Sequence, residues 1–169
     1  HRNAKGRILS GEELLTVFKG TTGEAIHTVW YNPNRGYGVG GSAEYAGWGD
    51  KATLGNRGER FLACVAFLDG MDKKPSAVMC RGYYTRSYLW AVDFDGKALQ
   101  TKWLHASISE NEWKLTNGDG KTISQKAGLK ATAYGQGAHS IAVADVDGDG
   151  CDEITYGSAA IDHDGSLLS

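Results

Sequence analysis

The sequence predicts an all-β fold, and within that class a segment of a β-propeller, on three observations. Its 169 residues include 24 glycines, 5 tryptophans and 8 tyrosines but only 2 prolines. Glycine supplies the positive φ of tight turns and aromatic rings suit pleated surfaces, so this composition describes many short strands. No run of about 18 apolar residues occurs, so no segment has the length and apolarity of a membrane-spanning helix. The third observation is an internal repeat: Gly23-Glu24-Ala25-Ile26-His27-Thr28-Val29-Trp30 returns as Gly96-Lys97-Ala98-Leu99-Gln100-Thr101-Lys102-Trp103, and more weakly as Asp162 to Leu168.

Each element follows from that repeat. Leu14 to Phe18, a glycine-containing turn and the strand ending at Trp30 read as a hairpin, so residues 12–32 are assigned to a partial blade. Residues 33–59 are a long glycine-rich loop. Its Gly36-Tyr37-Gly38-Val39-Gly40-Gly41 matches the letters of a dinucleotide fingerprint, but no strand precedes it and no helix former follows. Residues 60–106 contain two hairpins and read as a complete four-stranded blade. A polar loop fills 107–137. Residues 138–169 repeat the run Cys64 to Gly70 as Ala142 to Gly148 and are read as a blade truncated in its last strand.

One such sheet cannot bury both faces unless neighbours stack on it, which is the physical basis of a propeller. About two and a half blades cannot close a ring. The remaining blades of a parent chain are therefore the first expected partners, and the chain alone is expected to be inactive. The opening His1 to Arg7, without Met or an apolar signal core, fits an N-terminus lying upstream. A small complete β-sandwich is the competing architecture.

Composition also removes several function classes. With 18 Lys and Arg against 20 Asp and Glu, the net charge is -2 and the basic residues are scattered, so nucleic acid and anionic membrane are not expected partners. Cys64, Cys80 and Cys151 lack the spacing of a zinc or redox motif, and the first two sit in strand-like apolar runs as small buried thiols. There is no G-x-S-x-G elbow, Walker loop or H-E-x-x-H helix.

The strongest chemical signal is Asp145-Val146-Asp147-Gly148-Asp149-Gly150-Cys151-Asp152-Glu153. Ca²⁺ takes six to eight hard oxygens, and carboxylates at alternate positions converge on one point when a glycine permits the turn. Asp145, Asp147, Asp149 and Glu153 are the expected side-chain ligands and Cys151 supplies a backbone carbonyl. The position where an EF-hand places its glutamate is Tyr156, and the flanks are strand-like, so the loop joins two strands instead. The earlier copy has Phe67 in place of the first aspartate, with Lys73 and Lys74 nearby, and is expected to hold no ion. Asp93 to Gly96 and Asp162 to Gly165 read as Asp-Gly hairpin turns.

Arg81-Gly82-Tyr83-Tyr84-Thr85-Arg86 combines arginines, which grip carboxylates bidentately, with tyrosines, which present a ring face to a sugar. Arg81, Tyr83 and Arg86 are the candidate substrate-binding residues for a polymer that is anionic and built of sugars. His139, just before the acidic loop, is a candidate ligand of a cleft calcium or of the substrate. No catalytic residue is assigned.

Trp48-Gly49-Asp50, Gly55-Asn56-Arg57 through Ala63, Val78 through Arg86, and His139 through Ile154 together resemble the rhamnogalacturonan lyases of polysaccharide lyase family 11. The resemblance implies an eight-bladed, calcium-dependent propeller of a bacterium, secreted, periplasmic or on the cell surface. It also implies cleavage of the rhamnose to galacturonate bond of rhamnogalacturonan I, the pectic substrate, by β-elimination. In that family a cleft calcium receives a histidine from the position matching His139 and a second from a segment beyond Ser169. The alternative reading is a non-catalytic calcium-stabilised propeller for carbohydrate binding or adhesion.

Overall fold

The computed structural model describes residues 2, 4–6, 11–33, 56–107, 115–116, 122–123 and 135–168. Gly36 to Gly41, Trp48 to Asp50, Gly55 and most of the two long connections lie outside the described residues. Among the described residues every regular element is a strand and none is a helix.

The first two strands, β1 (Leu14–Phe18) and β2 (Ala25–Trp30), pair antiparallel. Their turn closes because Gly23, at φ 73°, lets its N–H reach the Lys19 carbonyl at 2.7 Å. Next come β3 (Phe61–Ala66), β4 (Ser76–Arg81), β5 (Ser87–Phe94) and β6 (Leu99–Ser107), which form a four-stranded antiparallel meander in chain order. The last turn of this sheet is held by Asp95, whose Oδ1 accepts the N–H groups of Lys97 and Ala98, each at 2.8 Å. Those donors hold its carboxyl below the usual range. Asp93 to Gly96 is thus a hairpin turn.

A short pair, β7 (Leu115–Thr116) and β8 (Thr122–Ile123), precedes a three-stranded antiparallel sheet of β9 (Ile141–Ala144), β10 (Glu153–Tyr156) and β11 (Ala159–Ile161). A bridge from Ile161 to Leu167 extends the sheet toward the chain's end.

The four-stranded sheet lies between the first hairpin and the three-stranded sheet, and its period-two alternation feeds two cores. From β5, Tyr88, Trp90 and Val92 join Tyr31, Leu104 and Ala106, with Leu15 and Val29 of the first hairpin packed against them. Leu89 and Ala91 point the opposite way, to Val78, Cys80, Trp103, Ile154, Tyr156 and Ile161. A strand covered on both faces must read as continuously apolar, and Tyr88-Leu89-Trp90-Ala91-Val92 does. A bulge between Ala91 and Val92 leaves Lys102 out of register, which shifts the alternation by one residue and turns Leu99 to the same core as Leu104 and Ala106. The three cysteines are free thiols; burial pushes Cys64 up to about 11 and Cys80 higher still, so both are neutral packing groups.

Candidate functional site

The connection between β4 and β5 is where the sheet presents polar groups. Arg81 ends β4 and its side chain is wholly buried. Its guanidinium forks onto Glu13, at 2.9 and 3.0 Å, reaches Glu59 at 3.2 Å, and donates to the carbonyls of Gly58 at 2.7 Å and Pro33 at 2.9 Å. It also lies 4.9 Å from the Phe61 ring centroid. This placement corrects the expectation of a substrate grip: all its donor directions are turned inward, and the residue clamps the first hairpin to the central sheet.

Tyr83 and Arg86 are likewise buried, at 5% exposure each, whereas Tyr84 is 44% exposed. The reason is backbone geometry. Tyr84 has φ 63°, and the Thr85 N–H donates across it to the Tyr83 carbonyl at 2.8 Å, a strained three-residue γ-turn. The turn drives Tyr83 inward, where its hydroxyl accepts from Asn56 Nδ2 at 3.0 Å, and throws Tyr84 outward. Tyr84 is therefore the ring that sequence reasoning left out of the candidate set. Positive φ at a non-glycine residue has no simple sequence signal.

His139 comes to the same place from a distant segment. The loop before β9 docks on the turn: the Tyr84 N–H donates to the Gly137 carbonyl at 2.8 Å, and the Gly135 N–H to the Thr85 carbonyl at 3.1 Å. Glycine is required at 137, since a Cβ there would sit 2.7 Å from Ser87 Oγ and 2.9 Å from Tyr156 Cε1. The exposed His139 then brings Nε2 to 2.7 Å from the Tyr84 hydroxyl, with the Tyr83 ring 4.7 Å away. Two further cations flank the rings. The Arg57 guanidinium is 5.8 Å from the Tyr84 centroid and that of Arg60 is 5.5 Å from Tyr83. The result is an outward patch made of the Tyr84 ring, an imidazole and guanidinium groups, with Tyr83 buried beneath it. Among the described residues, no cluster of metal donors includes His139.

The acidic loop is a second centre. Ligand atoms of Asp145, Asp147 and Glu153 lie within 4.8 Å of one another. Glycines 148 and 150, at φ 82° and 91°, turn the chain so that their N–H groups donate to the two oxygens of Asp145 at 2.7 and 3.0 Å. Glu153 begins β10 with 0% exposure; its Oε2 accepts the Val146 N–H at 2.8 Å and its Oε1 has no hydrogen-bond partner. Burial raises its carboxyl above the usual range. An all-oxygen set around a buried, under-satisfied carboxylate fits Ca²⁺.

Asp149 departs from the expected set. Its Oδ1 accepts the Cys151 N–H at 2.8 Å, while its Oδ2 faces His163 Nδ1 at 3.2 Å. The Cys151 thiol also faces this histidine. In the earlier copy of the loop, Asp69 meets Lys102 and Asp72 meets Lys73, each at 2.5 Å, and neither belongs to a metal-donor group among the described residues. Asp152 ties the two loops together by accepting the Phe67 N–H at 2.7 Å.

Comparison with known proteins yields a consistent set of relatives. The family model described as rhamnogalacturonan lyase family 11, C-terminal domain, matches residues 1–169. The chain is 50% identical over 167 residues to rhamnogalacturonan exolyase YesX of Bacillus subtilis strain 168, covering 99% of this chain and 22% of that protein. It is 45% identical over 166 residues to rhamnogalacturonan endolyase YesW of the same organism, covering 98% of this chain and 22% of YesW. The crystal structure of exotype YesX superposes with a TM-score of 0.75 over 99% of this chain and 23% of its own. The Bacillus licheniformis lyase structure gives the same TM-score at 50% identity, covering 99% of this chain and 24% of that one. The chain thus spans under a quarter of the relatives it matches.

Proposed function

The chain belongs to rhamnogalacturonan lyase family 11 as its C-terminal domain, and from that premise we propose that the intact protein cleaves the rhamnose to galacturonate bond of rhamnogalacturonan I by β-elimination. The exposed Tyr84 and His139 pair, flanked by Arg57 and Arg60, forms one wall of its substrate cleft on this reading. That pair is the observation that carries it. A strained turn and a close-packed glycine loop cooperate to hold two polar rings at the surface, an arrangement that contributes little to the core.

β-Elimination removes the C5 proton of galacturonate and expels the oxygen at C4, and negative charge builds toward an enolate beside the carboxylate. Guanidinium groups at the edge of the patch suit that carboxylate, because their forked donors match its two oxygens. The exposed face of Tyr84 suits the sugar ring. The Tyr84 hydroxyl and His139 Nε2 form a hydrogen-bonded pair that can orient or relay a proton at the edge of the cleft.

Calcium belongs to the acidic loop in this proposal. Asp145, Asp147 and Glu153 would hold it, and bound there it would relieve their mutual repulsion and staple the start of β10 to the loop. The stacking of the first hairpin, the four-stranded sheet and the three-stranded sheet supports a propeller whose other blades lie in the rest of the parent protein, exported from a bacterium.

The test is to incubate the intact protein with rhamnogalacturonan I and follow absorbance of the unsaturated product. The His139→Ala variant is expected to release product at least tenfold more slowly with its melting temperature preserved. Normal turnover by His139→Ala would remove this patch from the cleft, and absence of product with the wild-type protein would remove the lyase assignment.

A further inference from the structure

The acidic loop does not close on itself. His163 lies in the turn after β11 and approaches the loop from outside it. Two groups of donors meet at its imidazole, Asp149 with Cys151 and Glu153 with Asp162, and in each the ligand atoms lie within 4.8 Å of one another. The second group contains Glu153, a fully buried side chain whose Oε1 has no hydrogen-bond partner. Asp162 Oδ1 and His163 Nδ1 are also buried atoms without a hydrogen bond, although they are only 2.7 Å apart. At that distance they form an ion pair when the imidazole is protonated, without a hydrogen bond between the two atoms. His163 Nδ1 thus faces Asp162 Oδ1 at 2.7 Å and Asp149 Oδ2 at 3.2 Å, while the buried Glu153 Oε1 beside them has no hydrogen-bond partner, a set of donor atoms that one cation can share.

We propose that His163, Asp162 and Glu153, with Asp149 at their edge, form a second cation site that takes a transition metal of the zinc class rather than calcium. The donor types make the distinction. Calcium is coordinated by hard oxygens, whereas an imidazole nitrogen suits Zn²⁺, Co²⁺ or Ni²⁺. Glu153 would then lie between two ions, one on the side of Asp145 and Asp147 and one on the side of His163. Asp149, which sequence spacing assigns to the calcium set, is drawn off by the histidine. The turn that carries His163 is positioned independently of any ion, since its carbonyl accepts the Trp103 indole N–H at 2.9 Å and a Cβ at Gly165 would meet the same ring at 2.8 Å. This proposal rests on the calcium reading of the loop only through the shared Glu153.

The probe is Co²⁺, added to the chelator-stripped intact protein in saturating Ca²⁺ and followed by its visible absorption. The expected result is one equivalent bound per chain in the presence of Ca²⁺, with affinity at least tenfold lower in His163→Ala. The Ca²⁺-dependent rise in melting temperature should persist in that variant, which separates the two sites; if His163→Ala does not fold, His163→Gln is read in its place. Absence of Co²⁺ absorption in the wild type overturns the proposal, as does absorption unchanged by loss of His163. A wild-type protein that binds Co²⁺ through His163 yet shows no response to Ca²⁺ would uphold this site and remove the calcium loop.

Discussion

Tyr84 occupies a backbone conformation that costs a bulky residue about 1–3 kcal/mol, and it is held there by hydrogen bonds from two segments. Its hydroxyl contributes little to that restraint, because the bond to His139 is exposed. Tyr84→Phe should therefore keep stability within about 1 kcal/mol while lowering kcat/KM on rhamnogalacturonan at least tenfold. Unchanged kinetics would make the pair structural. His105 is the opposite case: it is buried, with Nδ1 3.1 Å from the Gly165 carbonyl, and burial lowers its pKa. The unfolded chain consequently takes up the proton first as pH falls below about 6.5. Its stabilising contribution is complete above that pH and declines toward the lower folded pKa, by at most about 1.4 kcal/mol per pH unit. In His105→Asn the amide replaces the Nδ1 donor without titrating, so denaturation between pH 5 and 6.5 should show a shallower slope on the acid side; an identical slope would mean that His105 does not set it.

At the scale of elements, the first hairpin is joined to the central sheet by an apolar seam and one buried ion cluster. Arg81 reaches from the end of β4 to Glu13, the residue before β1, and to Glu59 before β3. Removing one partner of a buried pair leaves an uncompensated charge and costs about 3–5 kcal/mol. Arg81→Ala is expected to lose roughly that much, measured by denaturant unfolding. Arg81→Lys should recover only part, since an ammonium cannot reproduce two forked contacts and two carbonyl bonds at once. Full stability in Arg81→Lys would show that charge alone matters there. The expected reading of this residue as a substrate grip failed because arginine has the same sequence appearance at a cleft and at a buried carboxylate pair. Glu13 lies far from it in the chain, and nothing in their spacing announces the contact.

For the whole molecule, the calcium reading makes stability depend on a cation that bridges the loop and β10. Chelation of the intact protein should lower its melting temperature by a few degrees, because a ligand at about 100 times its Kd stabilises by about 2.7 kcal/mol. Asp147→Ala should lower the temperature in Ca²⁺ and remove most of the response to chelator. A melting curve indifferent to both changes would leave the loop an acidic turn. The outward residues Leu14, Phe18 and Ile26 of the first hairpin and Phe61 and Val65 of β3 are exposed apolar side chains, as expected of surfaces that other parts of a larger parent protein would cover.

The sequence by itself determined the strands and hairpins of the repeat and the acidic loop, because each depends on neighbours within a few positions, but not the short β7 and β8 pair, which lies in a stretch read as a polar loop. Alternating apolar residues set the faces of β5, and Asp-Gly turns and alternate carboxylates act over five to ten residues. It also carried the family, since the matching stretches run through most of the chain. Tertiary structure alone decided which polar groups face outward and which meet. The γ-turn at Tyr84 exchanged the exposed tyrosine for the buried one, Glu13 drew Arg81 inside, and the docking of the β11 turn brought His163 to Asp149. The physical reason is that backbone pattern is local, whereas the partner of a charge or a lone pair is set by whichever distant segment packs beside it.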